Sequence, residues 1–245
     1  MFNFLPRIIF LGPLPLQLYG ITLVLGALTG CLAAIRLSKE KSLNPNHVID
    51  FMLYALISGI ILARLVFVIQ NLSTFLADPL SFFALQEGGL SFHGGVLGGL
   101  LAGIWYVKRK RLSFWNFADI IAPGLAIGEA VGRIGCDLYG KPVSGGILPL
   151  IVNGVNYHNV PLYTGISSLG IFLILWLNRK KAKPGTLFPL YIMLYPTARF
   201  LIEFTRQSTM AGTLSVGQIA SIALFLISGL AVFALIQKGF VDKFM

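Results

Sequence analysis

The chain has 245 residues, of which 56% are hydrophobic and only 11% charged, with a mean hydropathy of +0.81. A soluble domain carries about a quarter charged residues, so the composition excludes a water-soluble enzyme and indicates a membrane protein. The net charge of +10 is what topology-setting Lys and Arg leave behind, so no nucleic-acid partner is expected; Cys31 and Cys136, far apart in apolar contexts, offer neither a disulfide framework nor metal-ligand spacing.

No cleavable signal peptide is expected, because the first residues lack a basic region followed by a short apolar run and a small-residue cleavage site. About 20 apolar residues cross the hydrocarbon core. Seven segments meet or approach that length: roughly 14–35, 48–69, 93–107, 114–136, 161–177, 186–204 and 214–236. The third and fifth are short in apolar residues and borrow from their flanks. Basic residues follow every second segment: Arg36, Lys39 and Lys41, then 108–111, then Arg179, Lys180, Lys181 and Lys183, and finally Lys238 and Lys243. The opposite side holds Arg7, Lys141 and Arg206. The fold class expected is therefore an all-α polytopic membrane protein of seven transmembrane helices, N-terminus outside and C-terminus cytoplasmic. It reads as one transmembrane domain over 1–245 with a small extracytoplasmic segment near 137–160.

Arg64, Arg133 and Arg199 are left within the apolar segments, where each costs about 2.5–3.5 kcal/mol at a helix centre. Together with Tyr19 and His93 they fall within roughly 10 Å of the outer ends of five helices, at 1.5 Å per residue. A lone arginine near a helix end commonly snorkels to the headgroups, and Arg206, further out, fits that reading. Arg64 and Arg199 are flanked by apolar residues on both sides (IILARLVFV and TARFLIEF). Glu203 lies one helical turn after Arg199 and can pair with it, and Glu129 stands in the same relation to Arg133. Asp50 and Asp119 read as caps or packing anchors.

Three guanidiniums at one depth make an electropositive pocket suited to phosphate, since the planar donors bind two oxygens at once. At that depth the natural ligand is a phospholipid headgroup. Gly94, Gly95 and Gly132 flank His93 and Arg133 and let a backbone or a bulky ligand approach; Gly98 and Gly99 read as helix packing. A histidine beside the pocket can move a proton near neutral pH. The residues point to a phospholipid-binding membrane protein that can make or break a bond at the headgroup.

LGPLPLQLYG (11–20), ADPLSFF with EGGLSFHGG (77–95), DIIAPGLAIGEAVGRIG (119–135) and ARFLIEFTRQ (198–207) resemble the prolipoprotein diacylglyceryl transferase family in order and spacing over nearly the whole chain. SFHGG and GRIG together carry most of the resemblance. It implies an integral enzyme of the bacterial cytoplasmic (inner) membrane, multi-pass, with its site in the outer leaflet half. Such an enzyme moves the diacylglyceryl group of phosphatidylglycerol onto the lipobox cysteine of a lipoprotein precursor and releases glycerol phosphate. The implied partners are that lipid, the precursor's signal peptide and the surrounding membrane lipids, with no metal and no soluble cofactor. By the same resemblance His93, Arg133 and Arg199 are catalytic. Tyr19 falls on the family's tyrosine, and with it Arg64, Gly94, Gly95, Gly132, Glu203 and Asp137, read from their place around the pocket, are expected to bind substrate.

The chain departs from the family where GRIG is followed by Cys136 and Asp137 instead of an asparagine-rich stretch ending in Asn-Gly-Glu. Asp137 or Glu129 can supply the missing carboxylate. The element His-Pro-x-Gln-Leu-Tyr-Glu survives only as His158-Asn159-Val160-Pro161-Leu162-Tyr163-Thr164. Cys136 reads either as a nucleophile beside Arg133 or as an inert buried thiol. Two further readings stay open: a relative with the same lipid donor but another acceptor, and a phospholipid binder or transporter. The absence of internal repeats, with the charges on one side only, counts against transport.

Overall fold

The computed structural model of the protein describes residues 8–11, 14–77, 82, 88–145, 148–208, 210–211 and 213–241. Arg7, Lys243 and the runs 78–81 and 83–87 lie outside the described residues. The elements in chain order are β1 (Ile8–Leu11), β2 (Leu14–Gln17), α1 (Leu18–Glu40), α2 (Asn46–Gln70), α3 (Leu72–Ala77), α4 (Phe92–Arg109) and α5 (Phe114–Gly132). A 3₁₀ turn over Arg133–Gly135 follows, then β3 (Leu150–Val152), β4 (Val155–Tyr157), α6 (Val160–Asn178), α7 (Leu187–Glu203), β5 (Met210–Ala211), β6 (Leu214–Ser215) and α8 (Val216–Val241). The described residues thus hold seven helices of 17 to 26 residues. By length and hydropathy alone α1, α2 and α6 are able to cross a membrane. The fifth predicted segment, expected to be short in apolar residues, becomes α6 with mean hydropathy 1.8 over its best window.

The first helix begins four residues later than the apolar count places it, because Leu14–Gln17 pairs with Ile8–Leu11 as an antiparallel strand. Pro15 explains the difference: it has no N–H to give a helix and holds its predecessor extended. Two further antiparallel pairs, β3 with β4 and β5 with β6, and the short α3 were not expected. The β3–β4 hairpin turns on Asn153 (φ 50°) and Gly154 (φ 77°), the residue pair that a type I′ turn favours.

The chain divides into two compact units, one of residues 38–117 and one of residues 1–37 with 118–245. In the first, α4 lies directly on α2. A Cβ at Gly94 would strike the Leu62 carbonyl, and one at Gly98 the Ser58 carbonyl; Ser58 Oγ also donates to Gly98 O at 3.0 Å. Gly94 therefore has a packing role, whereas a Cβ at Gly99 would meet nothing within 4 Å. Asp50, read from the sequence as a cap or packing anchor, sits in a network: Tyr106 donates to Asp50 Oδ2 at 3.1 Å, and the Tyr106 hydroxyl also meets His47 Nδ1 at 2.9 Å.

In the second unit α1 crosses α5 at two glycine pairs, Gly26 with Gly128 and Gly30 with Gly124, where added side chains would collide with backbone. Thr22 Oγ donates to Gly132 O at 3.1 Å across the same interface. Asp119, 1% exposed, receives the backbone N–H groups of Gly185 (2.7 Å), Thr186 (3.1 Å) and Phe188 (2.8 Å). It caps α7 from α5, as the sequence suggests, and satisfies amides that the helix itself leaves open. Large apolar side chains cover much of the surface, while the interior holds polar groups beside apolar ones such as Leu37, Tyr106 and Leu175. Val24 and Leu32 of α1 are 61% and 65% exposed, while Ser168 and Glu203 are buried. Apolar surface faces outward where lipid is the solvent, and polar groups find their partners inside.

Candidate active site

In the unit of residues 1–37 and 118–245, Glu129 lies in the last turn of α5 and Arg133 opens the 3₁₀ turn that follows it. Arg133 Nη2 donates to Glu129 Oε1 at 3.0 Å, the ion pair expected from the one-turn spacing. Two partners with no signature in the local pattern complete the carboxylate. Tyr195 of α7 donates to Oε1 at 3.2 Å and Ser168 of α6 to Oε2 at 3.0 Å. One carboxylate thus ties α5, α6 and α7 together and fixes the guanidinium it faces. Gly165 of α6 lies beside this pair, where an added Cβ would stand at ordinary contact distance, 3.5 Å, from the Arg133 Cβ.

The C-terminal end of α7 holds a second group. Arg199 Nη1 meets Glu203 Oε2 at 2.9 Å, and Arg206 Nη1 meets the same oxygen at 3.8 Å. The Glu203 side chain is 3% exposed, and its other oxygen accepts from Ser208 Oγ and, at 3.2 Å, from Ser215 Oγ. Gly217, at the start of α8, packs where any side chain would strike this carboxylate. Arg206 does not extend freely into water as the snorkelling reading has it. Its side chain is 25% exposed against 23% for Arg199. Burial pushes the Arg206 guanidinium down from the usual arginine range, and the positive charges of Arg199 and Arg133 add to that effect. Glu203 thus faces two guanidiniums, those of Arg199 and Arg206, while Glu129 faces that of Arg133.

A cavity of about 1150 Å³ opens beside Arg133. Tyr19, Arg133, Cys136 and Asp137 form its polar side, and Leu162, Ile166 and Leu169 of α6 form an apolar wall. The α6 residues are four and three apart, so they share a helix face. The β3 strand lines the same cavity. The segment after the 3₁₀ turn is stitched down on both sides: Gly140 N–H donates to His158 O at 2.9 Å, His158 N–H to Lys141 O at 3.0 Å, and Lys141 N–H to Thr205 O at 2.8 Å. Asn159, 2% exposed, caps α6 by accepting from Leu162 N–H at 3.1 Å. Gly132 gives close packing, its added Cβ standing 3.4 Å from Leu23 Cδ2.

His93, Gly94, Gly95 and Arg64 belong to the unit of residues 38–117. His93 is exposed on the first turn of α4 and meets Phe92 edge-on, ring centroids 6.0 Å apart. Gly95 is half-buried, its nearest neighbour for an added Cβ being Ala63 Cβ at 3.9 Å. Arg64, 5% exposed, is engaged by protein: Nε donates to Phe82 O at 2.9 Å, and Nη1 donates to the carbonyls of Gly88 (2.7 Å) and Gly89 (2.9 Å).

The family model described as prolipoprotein diacylglyceryl transferase matches residues 6–234. A phosphatidylglycerol–prolipoprotein diacylglyceryl transferase of Bacillus cytotoxicus is 33% identical, the alignment covering 96% of this chain and 93% of the relative. One of Bacillus mycoides is 33% identical over 95% and 93%. One of Halalkalibacterium halodurans is 36% identical over 87% of this chain and 80% of the relative. With the paired arginines, the lipid-facing surfaces and this match over almost its full length, the chain belongs to the prolipoprotein diacylglyceryl transferase family.

Proposed function

We propose that this protein transfers the diacylglyceryl group of phosphatidylglycerol to a cysteine thiol of a prolipoprotein and releases glycerol phosphate, the reaction that the names of its relatives describe. The observation that carries the reading in this chain is the cavity beside Arg133. It sets a guanidinium, fixed by Glu129, against the apolar wall of Leu162, Ile166 and Leu169. Phosphate and acyl chain call for those two surfaces side by side.

In the reaction the thiol sulfur forms a bond to the terminal glyceryl carbon. The bond from that carbon to the phosphate oxygen breaks, giving a thioether and glycerol phosphate. Arg133 and Arg199 hold the phosphate and stabilise the charge that grows on the leaving oxygen. His93 takes the thiol proton or aligns the thiol, since the thiolate is the reactive form. Tyr19 and Asp137 border the headgroup, Gly95 and Gly132 allow its approach, and Glu203 sets the orientation of Arg199.

The finer placement rests on the pattern of charge and apolar length. Seven helices span the bacterial inner membrane with the N-terminus outside, and the site lies in the outer leaflet half, where the precursor's signal peptide and the membrane lipids reach it. The chain works as one transmembrane domain whose extracytoplasmic segment near 137–160 includes the β3–β4 hairpin. The test is an assay of purified protein with phosphatidylglycerol and a lipobox peptide, read by mass spectrometry. A diacylglyceryl adduct on the cysteine with glycerol phosphate released is expected, and no product from His93→Gln or Arg199→Ala. Glycerol phosphate without peptide modification would move the acceptor elsewhere; no lipid turnover by folded protein would overturn the enzymatic reading.

A further inference from the structure

Arg64 is an arginine in an apolar helix whose donors the protein itself takes up. Phe82 O lies at one point of the α3–α4 connection and Gly88 O and Gly89 O at another, and one guanidinium binds all three. The rings of Phe67 and Phe75 lie against the cation, 5.8 and 5.3 Å from its carbon. The neighbouring Ala63 accepts from Ser91 N–H at 3.0 Å, so α2 grips the connection at a further point.

The chain is shaped for this grip. Gly88 and Gly89 have φ of 85° and 79°, a region that L side chains rarely adopt. A Cβ on Gly89 would stand 2.6 Å from Arg64 Nη1, while one on Gly88 would meet open space. Leu90 and Ser91 alone then separate the clamped Gly89 from α4, which opens with Phe92 and His93. A planar fork can hold separated carbonyls in one arrangement, whereas a lysine ammonium is a single point on a flexible stem.

We infer that Arg64 is a positioning residue that pins Gly88 and Gly89 and thereby sets where the His93 imidazole stands, rather than a ligand of the lipid phosphate. The inference rests on the reading of His93 as a catalytic group. It separates two kinds of arginine in this sequence that look alike: Arg133 and Arg199, each held by a carboxylate on its own helical turn, and Arg64, which holds the backbone carbonyls of Phe82, Gly88 and Gly89.

The test uses the full-length protein in detergent with phosphatidylglycerol and a lipobox peptide, comparing Arg64→Lys, Gly88→Ala, Gly89→Ala and His93→Gln. Arg64→Lys keeps the charge and loses the fork; Gly88→Ala strains the same loop and leaves Arg64 untouched. Both are expected to lower kcat roughly ten- to hundredfold, as small misplacements of a reacting group do. The KM for phosphatidylglycerol is expected to stay within about twofold. Gly89→Ala should be the more severe of the two glycine variants. The chain has three histidines, so the imidazole signals of ¹⁵N-histidine-labelled protein can be assigned by the loss in His93→Gln. In Arg64→Lys and Gly88→Ala the His93 signal should move while those of His47 and His158 stay, a selectivity that a general loss of structure would not give. A raised KM for the lipid in Arg64→Lys, with wild-type behaviour in both glycine variants, would overturn the inference and make Arg64 a phosphate ligand. Wild-type turnover by His93→Gln would instead overturn the catalytic reading of the histidine, and the inference with it.

Discussion

Glu129→Gln removes one charge and almost no volume from the point where α5, α6 and α7 meet. The carboxylate accepts from Arg133, Tyr195 and Ser168 at 3.0, 3.2 and 3.0 Å. Its side chain is 18% exposed, so water can replace little of what is lost. A hydrogen bond to a charged group contributes about 1.5–3 kcal/mol, and glutamine keeps only one accepting oxygen for three donors. The two hydroxyls can turn and accept from the amide, which offsets part of the loss; the guanidinium, a donor only, cannot. About 2 kcal/mol should therefore fall on the placement of Arg133. If the reaction depends on that placement, kcat/KM drops roughly thirtyfold, at about 1.4 kcal/mol per tenfold. Tyr195→Phe and Ser168→Ala each remove one donor to the carboxylate, about 1.5 kcal/mol, and should lower the rate roughly tenfold. Purified variants assayed for peptide modification at fixed detergent and lipid would measure this directly. A Glu129→Gln enzyme within about twofold of wild type, with an unchanged melting temperature, would show that Arg133 does not depend on this carboxylate.

Arg199→Ala should cost more activity than Arg206→Ala, because the first sits 2.9 Å from Glu203 and the second 3.8 Å; equal losses in kcat/KM would refute the ranking. Asp119→Ala strips three backbone amides at the start of α7, that of Gly185 buried and those of Thr186 and Phe188 part-buried, of their acceptor and should destabilise the protein by about 3 kcal/mol, visible as a lowered melting temperature in detergent. Gly94→Ala drives a methyl into the Leu62 carbonyl and should lower stability by about 1–3 kcal/mol, whereas Gly99→Ala enters open space and should gain roughly 0.5–1 kcal/mol from helix propensity. The same thermal measurement separates the two glycines.

Much of the architecture was legible because lipid imposes long apolar runs. The boundaries of α2, α4, α6 and α7 fall within a few residues of the apolar segments, and α5 ends at the glycine before Arg133. Local pairs were equally readable: Glu129 with Arg133 and Arg199 with Glu203 are one turn apart on their helices, and the sequence alone puts them on the same face. The start of α1 was misplaced because apolar counting cannot distinguish a strand containing Pro15 from the first turn of a helix. The β3–β4 hairpin carried its signal in Asn153-Gly154, and the short strands flanking it could have been found from that pair.

What stayed hidden has a common physical cause: the partner was a group without a sequence signature. Backbone carbonyls occur at every residue, so nothing in IILARLVFV reveals that Arg64 is answered by Phe82, Gly88 and Gly89. Ser168 and Tyr195 lie 39 and 66 residues from Glu129, and nothing in the local pattern distinguishes them from other polar residues of their helices. The same contacts decide which of the two candidate carboxylates belongs to Arg133. Asp137 is exposed at the cavity's polar side, whereas both oxygens of Glu129 are engaged and one of them is bonded to the guanidinium. Loss of the family's usual glutamate after GRIG therefore leaves Arg133 with its counter-ion. The altered stretch from Cys136 onward lines the cavity, so changes there can reshape the cavity without breaking the Glu129–Arg133 pair.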